Sequence, residues 1–324
     1  MQDTQTLTSL WADESVFRSN LDRAPFALTH SLSGHPLFEL PRLVKLAQLV
    51  KRNSNNVVYD AGDIRVEDRW NHRPPKQHSL EEVMERVDQA GAWVILKHTE
   101  QDPEYKALME TIMSDIQSMS GTDLARTTKN LEAQIMLTSP GRVTPYHLDN
   151  ECNVLLQIKG EKDIFIFDQT DREVLTETEL ERFWIGDWNA GEYKMRAQDK
   201  AHAFRLAPGR AVHIPVNAPH WVKNDANVSI SLSINFEWKD ESIPNVYRAN
   251  FFLRKFGIQP KPPGQSGFSD KVKGIAITAG FVPARAMARG TVRLVRRVRR
   301  AGLKESTNQS ATASSSLPHT TPQP

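Results

Sequence analysis

The sequence predicts a mainly β core, a sandwich or a barrel, set between helical flanks. Three observations carry this. From about Leu131 the segments EAQIMLTS, ECNVLLQIKG, KDIFIFD, HAFRLAPG, AVHIPV and NVSISLSINFEW follow one another, broken by Pro, Gly, Asn and Asp. Short strands with turn residues between them are the mark of an all-β unit. Before about residue 120 the pattern is mixed α and β, with two or three helices, and after Trp238 it is helical again. The chain has 324 residues, 39% apolar and 25% charged, which suits one large globular domain or two smaller ones.

Taken in order, residues 1 to about 40 show no clear period and read as irregular. LPRLVKLAQLVKR (40–52) places Leu43, Leu46, Leu49 and Val50 on one helical stripe. NNVVYDAG (55–62) is a short strand ending in a turn. Ser79 with Glu82 three residues on forms a capping-box pattern and opens a helix expected to reach about Ala90. AWVILKH (92–98) is an apolar strand. Asp102-Pro103 supplies a cap and a first-position proline for a helix to about Met119. Residues 169–200 form a long insertion in the β unit, carrying Trp184, Trp188 and Tyr193. Residues 285–304 hold eight cations (Arg285, Arg289, Arg293, Arg296, Arg297, Arg299, Arg300 and Lys304) and no acid. The last 20 residues are rich in Ser, Thr, Pro, Gln and Asn and are expected to be disordered. The expected organisation is a mixed α/β region over 1–125 packing on the core, a β core over 126–240, a helical region over 241–304, and a tail over 305–324.

A net charge of +2 gives no overall pull toward nucleic acid or membrane. Cys152 is the single cysteine, so no intrachain disulfide forms, which fits a reducing compartment such as the cytoplasm. The N-terminus lacks the basic and apolar pattern of a signal peptide, and no apolar run approaches the roughly 20 residues of a membrane span. The basic segment 285–304 suits an anionic partner, or a solvated or docked helix face.

The stretch TPYHLDNECN (144–153) raises the functional question. Residues i and i+2 of a strand share a face, so His147 and Asp149 would put an imidazole beside a carboxylate. Two His and one carboxylate are the facial set that suits non-haem Fe(II), with positions left open for substrates. The second His would come from His202, His213 or His220. His220 fits best, since it follows the turn after PGRAVHIPVNAP and precedes WVKN. His213 lies inside its strand and reads equally as a packed core histidine. A lone HxD pair is also frequent by chance.

The strand NVSISLSINF has Val228, Ile230, Leu232, Ile234 and Phe236 on one face and Ser229, Ser231, Ser233 and Asn235 on the other. Such a strand is either half exposed to water or lines the room for a polar ligand. Lys162 shares a side with Ile164 and Ile166. Buried there, it would need a paired charge; at the strand end it could snorkel to water.

Together, TPYHLDNECNVLLQIKGEK, PGRAVHIPVNAPHWV and SINF resemble the JmjC and cupin-like Fe(II)/2-oxoglutarate oxygenases over roughly residues 130–240. They look closest to the branch containing the asparaginyl hydroxylase that inhibits hypoxia-inducible factor. The resemblance implies a double-stranded β-helix (jelly-roll, cupin) core with α-helical flanks at both ends. It implies Fe(II), 2-oxoglutarate as cosubstrate, and dioxygen. His147, Asp149 and His220 fall on the iron ligands. Lys162 and Thr144 fall on the residues that hold the distal carboxylate of 2-oxoglutarate. Asn153 and Asn235 fall beside its metal-bound end. Arg210 departs from the acidic residue common after the Pro-Gly turn, and the insertion 169–200 matches nothing in the family.

The expected function is therefore a 2-oxoglutarate-dependent dioxygenase, a hydroxylase or a demethylase, acting on a protein side chain or a small molecule. The competing class is a cupin-type protein that holds a metal or small molecule without redox chemistry. A mere metal binder has no need of a carboxylate clamp at Lys162 and Thr144.

Overall fold

The computed structural model describes residues 9–70 and 78–281. Residues 285–304 and 305–324, the basic segment and the expected tail, lie outside the described residues. The strands are β1 (Leu10–Trp11), β2 (Phe26–His30), β3 (Val57–Ala61), β4 (Ala92–Leu96), β5 (Thr128–Thr138) and β6 (Val143–His147). They continue as β7 (Cys152–Lys159), β8 (Lys162–Ile166), β9 (His202–Leu206), β10 (Arg210–Ile214), β11 (His220–Asn224) and β12 (Ser229–Trp238). The helices are α1 (Glu14–Asn20), α2 (Leu40–Val50), α3 (Leu80–Glu85), α4 (Pro103–Ser120), α5 (Leu124–Thr127), α6 (Glu177–Trp184), α7 (Ser242–Lys255) and α8 (Gly267–Ala276).

Two antiparallel sheets face each other. The major sheet has the order β1-β2-β10-β7-β12-β5-β4-β3, and the minor sheet β6-β11-β8-β9. This is the jelly-roll core with helical flanks that the sequence leads one to expect. The centre of the major sheet is the long β12, paired on one side with β5 and on the other with β7.

The side-chain pattern explains the layers. Ile230, Leu232 and Ile234 of β12 and Val154, Leu156 and Ile158 of β7 point out of the barrel. They pack with Leu43 and Leu46 of α2 and Ile112 and Ile116 of α4. Each of these side chains, fully buried, stabilises the fold by roughly 2 kcal/mol. Leu155, Ile164, Ile166, Val212, Ile214 and Val222 form a second apolar cluster between the sheets. The polar face of β12 is buried as well: Ser229, Ser231, Ser233 and Asn235 are all at most 2% exposed. The half-exposed alternative for this strand is thereby corrected.

Several local expectations hold. Ser79 and Glu82 make both bonds of the capping box. Asp102 caps α4, Pro103 opens it, and Gly121 closes it at φ 67, a backbone region that favours glycine. On α2, Ala47 is buried and Leu49 only partly so. The helix from Leu80 stops at Glu85 rather than near Ala90. The amides of Gln89 and Ala90 both donate to Arg86 O in tight turns, and Gly91 at φ 55 then leads into β4.

Residues 9–40 are not irregular. They hold β1, α1 and β2, elements of two to seven residues, too short to show a period. β2 is defined by a distant partner, β10, with Phe26 opposite His213 and Thr29 opposite Arg210. The insertion is a packed unit. Glu179 caps α6 through Thr176 and accepts from the Glu192 amide at 3.0 Å and from Lys194 Nζ at 2.8 Å. No helix among the described residues is long and apolar enough to cross a membrane.

Candidate metal centre

His147 ends β6 and His220 begins β11, and the two residues lie opposite each other in the minor sheet. Asp149 is not in the strand, as the i, i+2 reading supposed. It lies two residues past the end of β6, in a loop pinned by the Asn217 amide, which donates to Asp149 O at 2.9 Å. Leu148 between them turns into an apolar cluster with Tyr146 and Phe167. The loop thus returns the carboxylate to the imidazoles. Asp149 Oδ2 lies 3.9 Å from His147 Nε2 and 3.7 Å from His220 Nε2.

Both imidazoles are locked the same way. His147 Nδ1–H donates to Pro145 O at 2.8 Å, and His220 Nδ1–H donates to Ala218 O at 3.0 Å. A carbonyl only accepts, so each Nδ1 carries a proton, and in the neutral ring the lone pair is on Nε2. Both rings are buried, with centroids 4.1 Å apart. Burial first, and the neighbouring His220 second, push the His147 pKa down to about 4. His147 is therefore neutral at physiological pH, the form that binds a metal.

The other histidines are elsewhere. His213 Nδ1–H donates to Asn153 O at 3.0 Å while Nε2 accepts from the Asp22 amide at 2.9 Å. Both nitrogens are spent, and His213 is a core histidine. His202 is exposed on β9.

The ligand trio opens into a cavity of about 1630 Å³, which Thr144, Asn153, Lys162 and Asn235 also line. Thr144 and His147 have opposite parity on β6, so a regular strand would send them to opposite faces. A β-bulge resolves this: His147 pairs with His220, but Thr144 pairs with Val222. Three residues of β6 span two of β11, which turns both side chains toward the cavity. β6 is an edge strand, which tolerates Pro145.

Lys162 enters from β8 opposite Asn224, four residues along from Ile166, which lies opposite His220. It does not snorkel: it is 4% exposed and donates to Ser231 Oγ at 2.6 Å. Burial alone pulls its pKa down to about 7. Leu155, Ile164, Ile214 and Val222 line the cavity with apolar surface. Asn153 lies opposite Asn235 in the β7–β12 ladder. Asn235 Oδ1 accepts from Ser233 Oγ at 2.9 Å, whereas the buried Asn153 Oδ1 has no partner. Glu151, also on the wall, is pushed up to about 8 by burial and then by the charge of Asp149, so it keeps its proton at neutral pH.

The residues fit a metal and a dicarboxylate. Two nitrogen lone pairs and a carboxylate oxygen converge, with the three ligating atoms all within 4.8 Å of one another. Such a set leaves positions open on a first-row divalent ion. The orphaned Asn153 Oδ1 and the deeply buried Lys162 ammonium are the polar groups that a bound ligand would satisfy.

Two features escaped the sequence. Trp70 stacks on the His147 ring at 4.0 Å and 1° between planes, and meets Trp93 edge-on at 5.1 Å. The Tyr146 amide donates to Val66 O at 3.0 Å and holds that loop against β6. No local pattern around Trp70 announces this. The second is the part played by α7 in the wall that Trp184 and Trp188 of the insertion suggest: Arg248 lies over the Trp184 ring at 5.3 Å and donates to Trp184 O at 3.2 Å. Trp184 thus both packs the insertion and lines the cavity, while Trp188, 45% exposed, lines it farther out.

The fold is a cupin-like jelly roll, and the trio is a candidate metal site within it. A cupin-like domain profile matches residues 40–242, more than half of the chain, and the chain belongs to that family. Human HSPB1-associated protein 1 is 24% identical over 127 residues, 36% of this chain. The matched part spans 26%, about a quarter, of that protein's length. YcfD, a ribosomal oxygenase from Escherichia coli, superposes with a TM-score of 0.45 at 12% identity, over 85% of this chain and 67% of its own. Its complex with cobalt and 2-oxoglutarate gives a TM-score of 0.46 at 12% identity, over 85% and 68%.

Proposed function

We propose that the protein is an Fe(II)- and 2-oxoglutarate-dependent dioxygenase. The observation that carries this is the pairing of the His147–Asp149–His220 trio with a buried, otherwise uncompensated Lys162 in one cavity. In this reading His147, Asp149 and His220 hold the iron. When bound, iron with 2-oxoglutarate and dioxygen supplies the oxidant for an unactivated C–H bond, and 2-oxoglutarate leaves as succinate and carbon dioxide.

The chain's own work is binding, positioning and exclusion of water. Lys162 and Thr144 grip the distal carboxylate of the cosubstrate. Asn153 and Asn235 sit beside its other end. Leu155, Ile164, Ile214 and Val222 pack its methylenes and keep water from them. Trp184, Trp188 and α7 form the outer wall against which substrate binds. We assign this chemistry to residues 126–240, with 1–125 and 241–304 as the flanking regions of the sequence.

The cavity, about 1630 Å³, exceeds the roughly 300–1,000 Å³ usual for a small-molecule site. That favours a side chain presented on a macromolecule over a free metabolite. The lone, buried Cys152 accords with a reducing compartment, and we place the protein in the cytoplasm. A non-redox cupin reading leaves the Lys162 charge without purpose.

The test is equilibrium binding. 2-Oxoglutarate titrated into Mn(II)-loaded protein binds the wild type, and binds weakly or not at all to the metal-free protein and to Lys162→Ala. Equal binding with and without metal would contradict the assignment.

A further inference from the structure

We propose that Gln157 and Ser231 are positioning residues that fix Lys162 as a donor toward the distal carboxylate of the cosubstrate. The inference rests on the reading of Lys162 given above. Gln157 of β7 and Ser231 of β12 lie opposite each other in the major sheet, and neither is more than 1% exposed.

The direction of the hydrogen bonds follows from what each group is able to do. Gln157 Nε2 lies 2.7 Å from Lys159 O and 3.0 Å from Gly160 O. Those carbonyls only accept, so the NH2 end of the amide must face them. Gln157 Oε1 then faces Ser231 Oγ at 2.8 Å, and an amide oxygen also only accepts. Ser231 therefore gives its single proton to Gln157. It has only lone pairs left for Lys162 Nζ, 2.6 Å away. Lys162 must donate. No other hydrogen bond holds its nitrogen among the described residues, so its two remaining N–H groups are left for the cavity it lines. A reversed amide would free the Ser231 proton to point at the lysine and would suit a neutral amine. The polarity of this three-link chain thus fixes Lys162 as a donor and leaves its other N–H groups to meet a carboxylate, which holds it as the ammonium.

Gln157 also ties down the turn between β7 and β8, so loss of stability alone does not measure the relay. The discriminating readout is the separation of KM from kcat. Succinate formation is followed against 2-oxoglutarate concentration in wild type, Ser231→Ala, Gln157→Met, the double variant and Lys162→Ala. Calorimetric binding of 2-oxoglutarate to the Mn(II)-loaded proteins gives the same comparison without turnover. Melting temperatures are recorded for all.

Ser231→Ala is expected to raise the 2-oxoglutarate KM and Kd about tenfold, on the scale of a lost outer-shell partner, with kcat within about twofold. Gln157→Met raises both constants in the same direction. The double variant is no worse than Ser231→Ala, because both act through one contact. Unchanged KM and Kd in both single variants, with both raised in Lys162→Ala, would overturn the relay and leave the carboxylate clamp standing. Independent, multiplicative effects would also overturn it, since they mean two separate roles. Unchanged KM in Lys162→Ala would overturn the clamp itself.

Discussion

Replacing Lys162 by Met should make the protein more stable and less able to use 2-oxoglutarate. Burial draws the lysine pKa from 10.5 to about 7. That displacement, about 3.5 (10.5 less about 7), corresponds to roughly 5 kcal/mol at 1.36 kcal/mol per pKa unit. The folded pKa is the lower one, so the folded state resists the proton that the unfolded chain accepts. The penalty is complete below pH 7 and fades as pH rises toward 10.5, where the unfolded chain also loses its proton. Met has similar length and no charge to desolvate. It forfeits the bond to Ser231, about 1 kcal/mol. The net gain at pH 7 is on the order of 3–4 kcal/mol, several degrees in melting temperature. Urea denaturation at pH 7, 8.5 and 10 measures it. The advantage should be greatest at pH 7 and small at pH 10, while the variant shows a 2-oxoglutarate KM raised at least about tenfold. A variant no more stable at pH 7, or one whose gain is independent of pH, would mean that Lys162 carries no desolvation penalty in the folded protein. Under the proposed role of Lys162, stability given up there is the trade-off expected of a binding site.

Binding of 2-oxoglutarate to metal-loaded protein should take up close to one proton at pH 8 and almost none at pH 6, because the distal carboxylate restores the ammonium of a lysine whose free pKa is about 7. Calorimetry in buffers of different ionisation enthalpy reads this directly. Trp70→Leu should weaken Co(II) affinity about tenfold by freeing the His147 ring, and Trp70→Phe should keep most of it; equal affinities would remove the stack from the metal's support. Arg142 and Asp60 form an ion pair with side chains 4% and 2% exposed, and Arg142 also donates to Gly91 O at 2.9 Å. Arg142→Leu should cost about 3–5 kcal/mol in denaturation, by removing one half of a buried ion pair.

The parts of the fold legible in the sequence are those with a repeated local signal. β7, β8 and β12 alternate or run apolar over five to ten residues. The caps at Ser79 and Asp102 are written in two or three residues. The side of Lys162 follows from its parity with Ile164 and Ile166. The two strands that bear His147 and His220 are the ones with little signal. β6 contains Pro145, and β11 reads HWVKN without a clear apolar face. Asp149 reaches the site through a loop, and Thr144 through a bulge whose evidence is the pairing with β11. Neither is a property of its own segment. The same holds for Trp70, which meets His147 from a loop more than seventy residues earlier in the chain.

In the proposed function the His147–Asp149–His220 site, with its clamp, turns over 2-oxoglutarate. The most direct measurement is succinate formed by protein purified without oxygen, loaded with Fe(II) and 2-oxoglutarate, and then exposed to air, with His147→Ala alongside. The wild type should form succinate, dependent on iron and oxygen, and the variant none above background. Succinate at equal rates from both proteins, or none from a wild type shown to bind both iron and 2-oxoglutarate, would contradict it.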